Sequence, residues 1–315
     1  MEGFPITDNI LSLKCKINKH FCAEEKLGMK LNELLSKQDI TLSFEVFPPK
    51  VTANYEAVKA AAYSVAKLAP SYMSVTYGAG GSTRDNTLKI AKGIQDTYGV
   101  TTIAHLTCVG ATKEGIRKSL VNMKAAGIEN VLALRGDRPK DFEGDPFANY
   151  HYASELVAEI KAFGGMCIGG ACYPEGHVES ENTKQDILNL KKKVEAGCEF
   201  LTTQMFFDNN IFYNFLCRVR EAGIDVPVIP GIMPITRPVQ LQNAVKLSGC
   251  NVPMRFRSIV DCFGSNPEAM QQAGIIYATD QIIDLIANGV KHIHVYSMNN
   301  SEVAKGIQDS LSKML

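Results

Sequence analysis

Short β-rich runs alternate with amphipathic helical patterns from residue 40 to the end of this 315-residue chain. Eight runs occur, at residues 40–47, 72–77, 102–108, 130–134, 167–173, 200–206, 226–232 and 292–297. Helical patterns between them include residues 83–98, 112–126, 154–163, 183–196 and 211–222. Because strand, helix and strand in repeated order form parallel βαβ units, the pattern predicts an α/β protein, and eight units suit a closed (β/α)8 TIM barrel. A seven-stranded barrel and a doubly wound open sheet are the alternatives.

The rest of the chain divides around this repeat. Glycine follows five of the helical patterns, where a helix commonly ends in a left-handed residue: Gly99, Gly127, Gly164, Gly197 and Gly223. Residues 1–38 precede the first strand and form an N-terminal extension whose amphipathic helix is expected to close the bottom of the barrel. Residues 39–315 are predicted to be one catalytic domain, with extra helices before the last strand.

The charge balance points to small-molecule ligands. Lys plus Arg and Asp plus Glu each number 33, whereas nucleic-acid-binding surfaces usually need a basic excess. No apolar run approaches the ~20 residues that span a bilayer. The first residues also lack the basic and apolar regions of a signal peptide, so a cytoplasmic protein without nucleic-acid or membrane partners is expected. Nine cysteines without a C-x-x-C pair indicate neither a disulfide framework nor a zinc site, and no other metal-like cluster is visible.

Glu45 is the residue hardest to explain by packing. It lies in an otherwise apolar strand, TLSFEVFPPK, near the strand's carboxyl end. A buried carboxylate needs a partner or remains protonated, because burial raises its pKa. Pairing with a core Arg or Lys is one interpretation. A proton donor at the catalytic end of a barrel, with a raised pKa, is the other.

Other polar residues collect after the predicted strands. A glycine-rich turn with Thr76 and Tyr77 leads into a helix and is suited to an anion, although it is neither a dinucleotide fingerprint nor a Walker loop. His105 lies in an apolar strand and is either a core residue or a ligand contact. Strand four ends in Arg135-Gly136-Asp137, for which a structural salt bridge is the alternative. These residues, with Gln204 in strand six, favour a large organic cofactor over metal or triad hydrolysis.

Together these motifs resemble the methylenetetrahydrofolate reductase family, in its bacterial single-domain form. The strings that carry the resemblance occur in order from about residue 40 to 315: SFEVFPPK, SVTYGAGGSTRD, AHLTCVGAT, LALRGDRP, YPEGH, LNLKKKVEAG, TTQMFFD and IPGIMPI. The resemblance implies a barrel that binds FAD at its strand carboxyl ends and uses NADH or NADPH as electron donor. One departure is Asn300, where the family often has an Arg that contacts the folate tail.

The resemblance also implies site residues. Glu45 is the general acid and Asp137 lies by the flavin and the pterin. Folate contacts are Glu45, Asp137, Gln204 and Gln240. Flavin contacts are Thr76, Tyr77, Ala79, His105, Arg135, Gly136, Asp137, Ala153, Tyr173, His177, Asp186, Asn189, Lys192 and Lys193.

The implied activity is reduction of 5,10-methylenetetrahydrofolate to 5-methyltetrahydrofolate in two half-reactions, for one-carbon metabolism and methionine supply. The alternatives are a proline-dehydrogenase-like flavin barrel and a flavin- or folate-binding subunit of an electron-transfer complex. In that complex, ferredoxin or a partner flavoprotein would replace the nicotinamide donor. A homo-oligomer is also expected.

Overall fold

The computed structural model describes residues 29–49, 54–77, 81–139 and 142–315. Their strands are β1 Thr41–Val46, β2 Tyr72–Val75, β3 Thr101–Thr107, β4 Asn130–Leu134, β5 Cys167–Cys172, β6 Phe200–Thr203, β7 Val228–Ile229, β8 Gly231–Ile232 and β9 His292–Tyr296. The helices are α1 Leu31–Lys37, α2 Tyr55–Ala66, α3 Gly81–Tyr98, α4 Lys113–Ala125, α5 Ala153–Phe163, α6 Thr183–Glu195, α7 Asn209–Glu221, α8 Pro238–Ser248, α9 Met254–Phe263, α10 Pro267–Ala287 and α11 Ser301–Leu311.

All the strands pair in parallel and form a TIM barrel, which confirms the predicted fold. The order is β7-β6-β5-β4-β3-β2-β1-β9-β8. The predicted seventh strand, 226–232, is wrong in one respect, because it is split at Pro230 into β7, which pairs with β6, and β8, which pairs with β9. Proline lacks an N–H for the ladder, but the Pro230 carbonyl accepts a hydrogen bond from His294 N at 3.0 Å. The segment therefore pairs with β6 on one side and β9 on the other and closes the barrel.

Helix ends follow the local sequence. Gly99, Gly127, Gly164, Gly197 and Gly223 all have positive φ, as predicted from their places after helical patterns. Polar caps begin several helices, since Thr112, Asn182 and Asp208 accept hydrogen bonds from backbone N–H groups of α4, α6 and α7. These caps fix the residue at which each of the three helices begins.

Alternation along the strands separates two layers. In β1, Leu42, Phe44 and Val46 are buried under the outer helices, while Ser43 and Glu45 face the barrel interior. The lower interior is apolar and α1 covers it, with Leu31, Leu34 and Leu35 packed against residues that include Tyr72 and Phe200. The upper interior is polar and contains the candidate site.

The segment before β9 forms α8, α9 and α10, the extra helices that were predicted. They enclose a second apolar cluster with Phe207, Ile235, Phe256, Met270 and Tyr277. No helix among the described residues has the length and apolar character needed to cross a membrane. Of the described cysteines, Cys108, Cys167, Cys172, Cys198 and Cys250 are buried, Cys217 and Cys262 are exposed, and none is in a disulfide.

Candidate active site

Glu45 lies at the penultimate position of β1, the strand between β2 and β9. Its register partners are Ser74 in β2 and Tyr296 in β9. The hydroxyl of Ser74 donates to Glu45 Oε2 at 3.2 Å, and the Nε2 atoms of His105 and His294 lie 3.5 and 3.7 Å from the same oxygen. No Arg or Lys pairs with Glu45 among the described residues. The side chain is 20% exposed, so the carboxylate is reachable from the open end of the barrel.

The expectation of a raised Glu45 pKa is wrong for this open site. Burial raises the pKa of Glu45, but the neighbouring imidazoles of His294 and His105 and the hydroxyl of Ser74 outweigh burial and lower it below its ordinary value. Burial lowers the pKa of His105, and the Glu45 carboxylate only partly opposes this. Glu45 is therefore an ionised carboxylate at neutral pH, with a neutral His105 beside it.

His294 is held between two serine hydroxyls. Its Nδ1 lies 2.8 Å from Ser43 Oγ, and its Nε2 lies 3.1 Å from Ser74 Oγ. Ser43 donates its own proton to the Ile293 carbonyl, and Ser74 donates its proton to Glu45. Because each hydroxyl has one proton, both serine oxygens are left as acceptors toward His294. Ser74 therefore links the His294 ring to the Glu45 carboxylate through two hydrogen bonds.

Tyr296 lies beside this cluster, because it is the register partner of Glu45 in β9 and its ring packs edge to face with His294, with centroids 5.5 Å apart. Its hydroxyl donates to the Thr203 carbonyl at 2.5 Å, which links β9 to β6 past the short strands β7 and β8. Gly231 makes this contact possible, because a Cβ at that position would lie 2.4 Å from the Tyr296 hydroxyl oxygen and 2.5 Å from Thr203 O.

The loop after β4 presents an unpaired carboxylate. Arg135 forms a two-pronged ion pair with Glu179, with N–O distances of 2.7 and 2.5 Å, and not with Asp137. Asp137 is exposed, and its carboxylate makes no hydrogen bond or ion pair within the described residues. Gly136 has φ +81°, and a Cβ there would lie 2.7 Å from Val109 Cγ1, so this turn requires glycine. Arg135 therefore forms a structural salt bridge, but with Glu179 in the loop after β5 and not within its own Arg-Gly-Asp turn.

The loops after β5 and β6 add an aromatic pair and an amide. Tyr173 and His177 pack edge to face with ring centroids 4.6 Å apart. Burial and the nearby Asp137 carboxylate raise the pKa of Tyr173 to about 12, so its hydroxyl is a neutral donor. Burial and the charge of Arg135 lower the pKa of His177. Gln204 Oε1 accepts from Met205 N at 3.0 Å, and its Nε2 has no partner among the described residues.

The polar residues of α6 do not act as one exposed stripe. Asp186 accepts from Ser180 Oγ at 2.8 Å, and Asn189 accepts from Gln185 Nε2 at 3.1 Å. Lys192 is exposed, but Lys193 turns inward and donates to the Ala171 carbonyl of β5 at 2.6 Å. The two adjacent lysines thus occupy different surroundings.

The remaining predicted contacts are spread over the same end of the barrel. Thr76 and the half-buried Tyr77 follow β2, and Ala153 is the buried first residue of α5. Ala79 lies outside the described residues. Gln240 is buried in the first turn of α8, where its Oε1 accepts from Thr236 N, Thr236 Oγ1 and Arg237 N. Most of the described residues predicted for the site therefore lie near a strand carboxyl end or in the loop or first helical turn beyond it. Asn189 lies midway along α6, and Lys192 and Lys193 lie in its last turn.

Sequence reasoning missed His294, Ser43 and Ser74. A signal was present, because His292, His294 and Tyr296 alternate in the run HIHVY, just as Ser43 and Glu45 alternate in β1. Alternation by two places polar groups on one face of a strand, and in a barrel that face is the interior. No group of three or more His, Cys, Asp or Glu in the described residues could hold a metal ion.

Comparison with known proteins decides the family. The methylenetetrahydrofolate reductase family model matches residues 30–312. The chain belongs to the methylenetetrahydrofolate reductase family. It is 35% identical to 5,10-methylenetetrahydrofolate reductase of Pectobacterium carotovorum over 292 residues, which is 93% of this chain and 96% of the relative. The Escherichia coli protein of the same name is also 35% identical, over 93% of this chain and 97% of its own length.

Two further matches extend the comparison. The maize protein named methylenetetrahydrofolate reductase (NADH) 1 is 34% identical over 90% of this chain, which aligns with only 50% of the maize protein. A solved structure from Clostridium thermocellum, described as binding two copies of 5-methyl-5,6,7,8-tetrahydrofolic acid, matches with a TM-score of 0.62 at 14% identity. It covers 91% of this chain and 100% of that chain, and at this identity it supports the barrel fold alone.

Proposed function

We propose that this protein reduces 5,10-methylenetetrahydrofolate to 5-methyltetrahydrofolate, with FAD as cofactor and NADH or NADPH as electron donor. The observation that supports this most strongly is an acid group, Glu45 with His294, at the catalytic end of a barrel of this family. The maize relative, which is named as an NADH enzyme, makes NADH the donor to test first.

The residues at this end of the barrel fit a flavin. Two buried polar atoms, His105 Nε2 and Thr107 Oγ1, have no hydrogen-bond partner among the described residues. Because buried polar atoms are normally hydrogen-bonded, a polar ligand would be the partner of these two atoms. Asp137 and Tyr173 add a free carboxylate and a neutral hydroxyl. Thr76, Tyr77, Ala79, Arg135, Gly136, Ala153, His177, Asp186, Asn189, Lys192 and Lys193 complete the proposed flavin contacts. Bound flavin supplies hydride transfer between the nicotinamide donor and the folate.

Glu45 and His294 would supply the proton that folate reduction needs. The methylene bridge accepts a hydride once N10 of the folate is protonated and the five-membered ring opens to an iminium. Since Glu45 is ionised in the open site, it must first gain a proton. When His294 carries a second proton, its Nε2 would donate that proton to Ser74 Oγ, Ser74 would pass its own proton to Glu45 Oε2, and a neutral imidazole would remain. Folate that covers the exposed part of Glu45 would raise the pKa of the carboxyl and favour this transfer.

Asp137, Gln204 and Gln240 would position the folate. The unpartnered Nε2 of Gln204 can donate to an acceptor on the pterin edge, while Asp137 can accept from its amino groups. Asp137 also places a negative charge near a cofactor that gains electrons. Holding the pterin in one orientation aligns the reacting carbon for hydride transfer.

Anaerobic half-reactions test the proposal. The purified protein should show the visible spectrum of an oxidised flavin. NADH or NADPH should bleach this spectrum, and methylenetetrahydrofolate should then restore it. If neither nucleotide bleaches the flavin, but methylenetetrahydrofolate reoxidises the chemically reduced protein normally, the electron donor is a different carrier. A protein that binds no flavin after reconstitution would refute the proposal.

A further inference from the structure

A groove of about 540 Å³ lies between α10 and α11, in the outer helical layer of the barrel. Ile275, Ile276 and Gly306 line it, and the side chain of Ile276 is 60% exposed. The two helices approach closely at Gly306, because a Cβ there would lie 3.2 Å from Ile275 Cδ1. An exposed isoleucine in a concave groove is apolar surface of the kind that a partner segment covers.

The rim of the groove is acidic. Glu268, in the first turn of α10, and Glu302, in the first turn of α11, both line it, and there is no Lys or Arg among its described lining residues. Neither carboxylate forms an ion pair with a described residue, since Lys305 on α11 pairs with Asp309 instead. The groove therefore suits an apolar occupant that carries positive charge at its edges.

The amino-terminal segment of this chain has that chemistry. Residues 1–28 lie outside the described residues, so their sequence is the guide. Residues 9–23, NILSLKCKINKHFCA, include three Lys and no Asp or Glu. Their apolar residues recur at intervals of three and four, which would place them on one face of a helix: Ile10, Leu13, Ile17 and Phe21.

The lysines of this segment differ in their relation to the apolar face. Successive residues of a helix are rotated by about 100°. Lys14 would therefore lie beside the apolar face, where it could approach a carboxylate at the rim of a groove. Lys19 would lie on the opposite face, toward solvent.

The chain leaves this segment at the end of the barrel that the groove approaches. Met29 packs with α1 against the bottom of the barrel. The last turns of α11 lie at the same end, because Gln308 Nε2 donates to the carbonyl of Leu68, between α2 and β2. Ser310, in the last turn of α11, lines the groove. Residues 22–29 can span up to ~28 Å when extended, so the segment can reach the outer layer from below.

We propose that residues 10–21 dock as an amphipathic helix in the groove between α10 and α11. The apolar face covers Ile276, and Lys14 lies near the carboxylates at the rim. A helix laid in an apolar groove is a common mode of peptide recognition, with anchors three, four and seven residues apart. Docking would join the first segment of the chain to its last helix, and the proposal does not depend on the proposed function.

Thiol labelling of the full chain tests the proposal. Gln272→Cys places a reporter in the wall of the groove, and Cys217, a native exposed thiol on α7 outside the wall, is the internal reference. Peptide mass spectrometry gives the ratio of the two maleimide-labelling rates. Ile17→Asp, which places a charge on the apolar face, should raise this ratio at least ~10-fold, because a docked segment leaves the reporter open in about 10% of the molecules or fewer.

Two charge reversals distinguish the faces of the segment. Lys14→Glu should raise the ratio about threefold, which is the size of effect expected from one exposed ion pair. Lys19→Glu is the matched control, because it makes the same change of charge on the opposite face. It should keep the wild-type ratio.

Three results would overturn the proposal. An unchanged ratio in Ile17→Asp would show that the segment does not cover the groove. Equal effects of Lys14→Glu and Lys19→Glu would show that docking does not depend on the face that carries Lys14. Protection of the reporter that falls as the protein is diluted would assign the groove to the segment of a second copy of the chain.

Discussion

Replacing Glu45 by glutamine should separate the two halves of the proposed reaction. The amide is nearly isosteric and can still accept from Ser74, whose hydroxyl lies 3.2 Å from Oε2, so the local packing is kept. The amide cannot receive a proton through Ser74, and it cannot donate an acid proton to N10 of the folate. Loss of general acid catalysis lowers rates by at least ~100-fold, which equals about 2.7 kcal/mol in activation free energy.

Stopped-flow spectroscopy measures the two halves independently. In Glu45→Gln, the rate of flavin reduction by NADH should change less than ~3-fold, since hydride arrival needs no proton from this group. Flavin reoxidation by methylenetetrahydrofolate should fall by at least ~100-fold. Glu199→Gln is the control, because Glu199 is paired with Asn32 at the amino-terminal end of the barrel. A near-wild-type reoxidation rate in Glu45→Gln would refute its role as the acid.

Three further predictions follow from the site. Asp137→Asn should raise the flavin reduction potential, because it removes a negative charge near a group that gains electrons; an unchanged potential in spectroelectrochemistry would remove that role. The free energy of unfolding should fall less steeply with decreasing pH in His105→Gln than in the wild-type protein, by up to ~1.4 kcal/mol per pH unit below about pH 6.5. Urea titration at several pH values measures this slope, and replacement of the exposed His151 by Gln is the control. The sign follows from the lowered pKa of His105, since the unfolded chain then binds the proton more readily and acid destabilises the native state. Asn300→Arg should cost about 1 kcal/mol of stability, because Asn300 Oδ1 accepts from Glu302 N and Val303 N at the start of α11; an unchanged free energy of unfolding in urea titration would contradict this.

Local patterns were sufficient to predict the barrel. Strand runs, amphipathic helices and the glycines after them depend on backbone conformation and on the period of apolar residues, which short segments already encode. Glu45 could also be singled out, because a carboxylate in an apolar strand is unusual wherever the strand lies. The α1 leucines, spaced on one face, likewise predicted a buried helix at the bottom of the barrel.

The protonation of Glu45 depended on residues far away in the chain. Its carboxylate meets Ser74, His105 and His294, which are 29, 60 and 249 positions later, and these contacts reverse the effect of burial on its pKa. Burial alone can be anticipated from one strand, but neighbouring charges come from other strands whose register is set by closure of the sheet. The ion pair of Arg135 with Glu179 and the hydrogen bond of Lys193 to the Ala171 carbonyl likewise depend on segments that only tertiary folding brings together.

A cavity of about 330 Å³ lined by Arg237, Ser297 and Asn300 could not be predicted from the sequence either. Arg237 precedes a proline in an unremarkable turn, and Asn300 lies 63 positions later. Only packing of α8, α10 and α11 brings their starts to one space beside β9. Secondary structure is local and can be read from periodicity, whereas the electrostatic field in a site is the sum over groups that tertiary folding brings together.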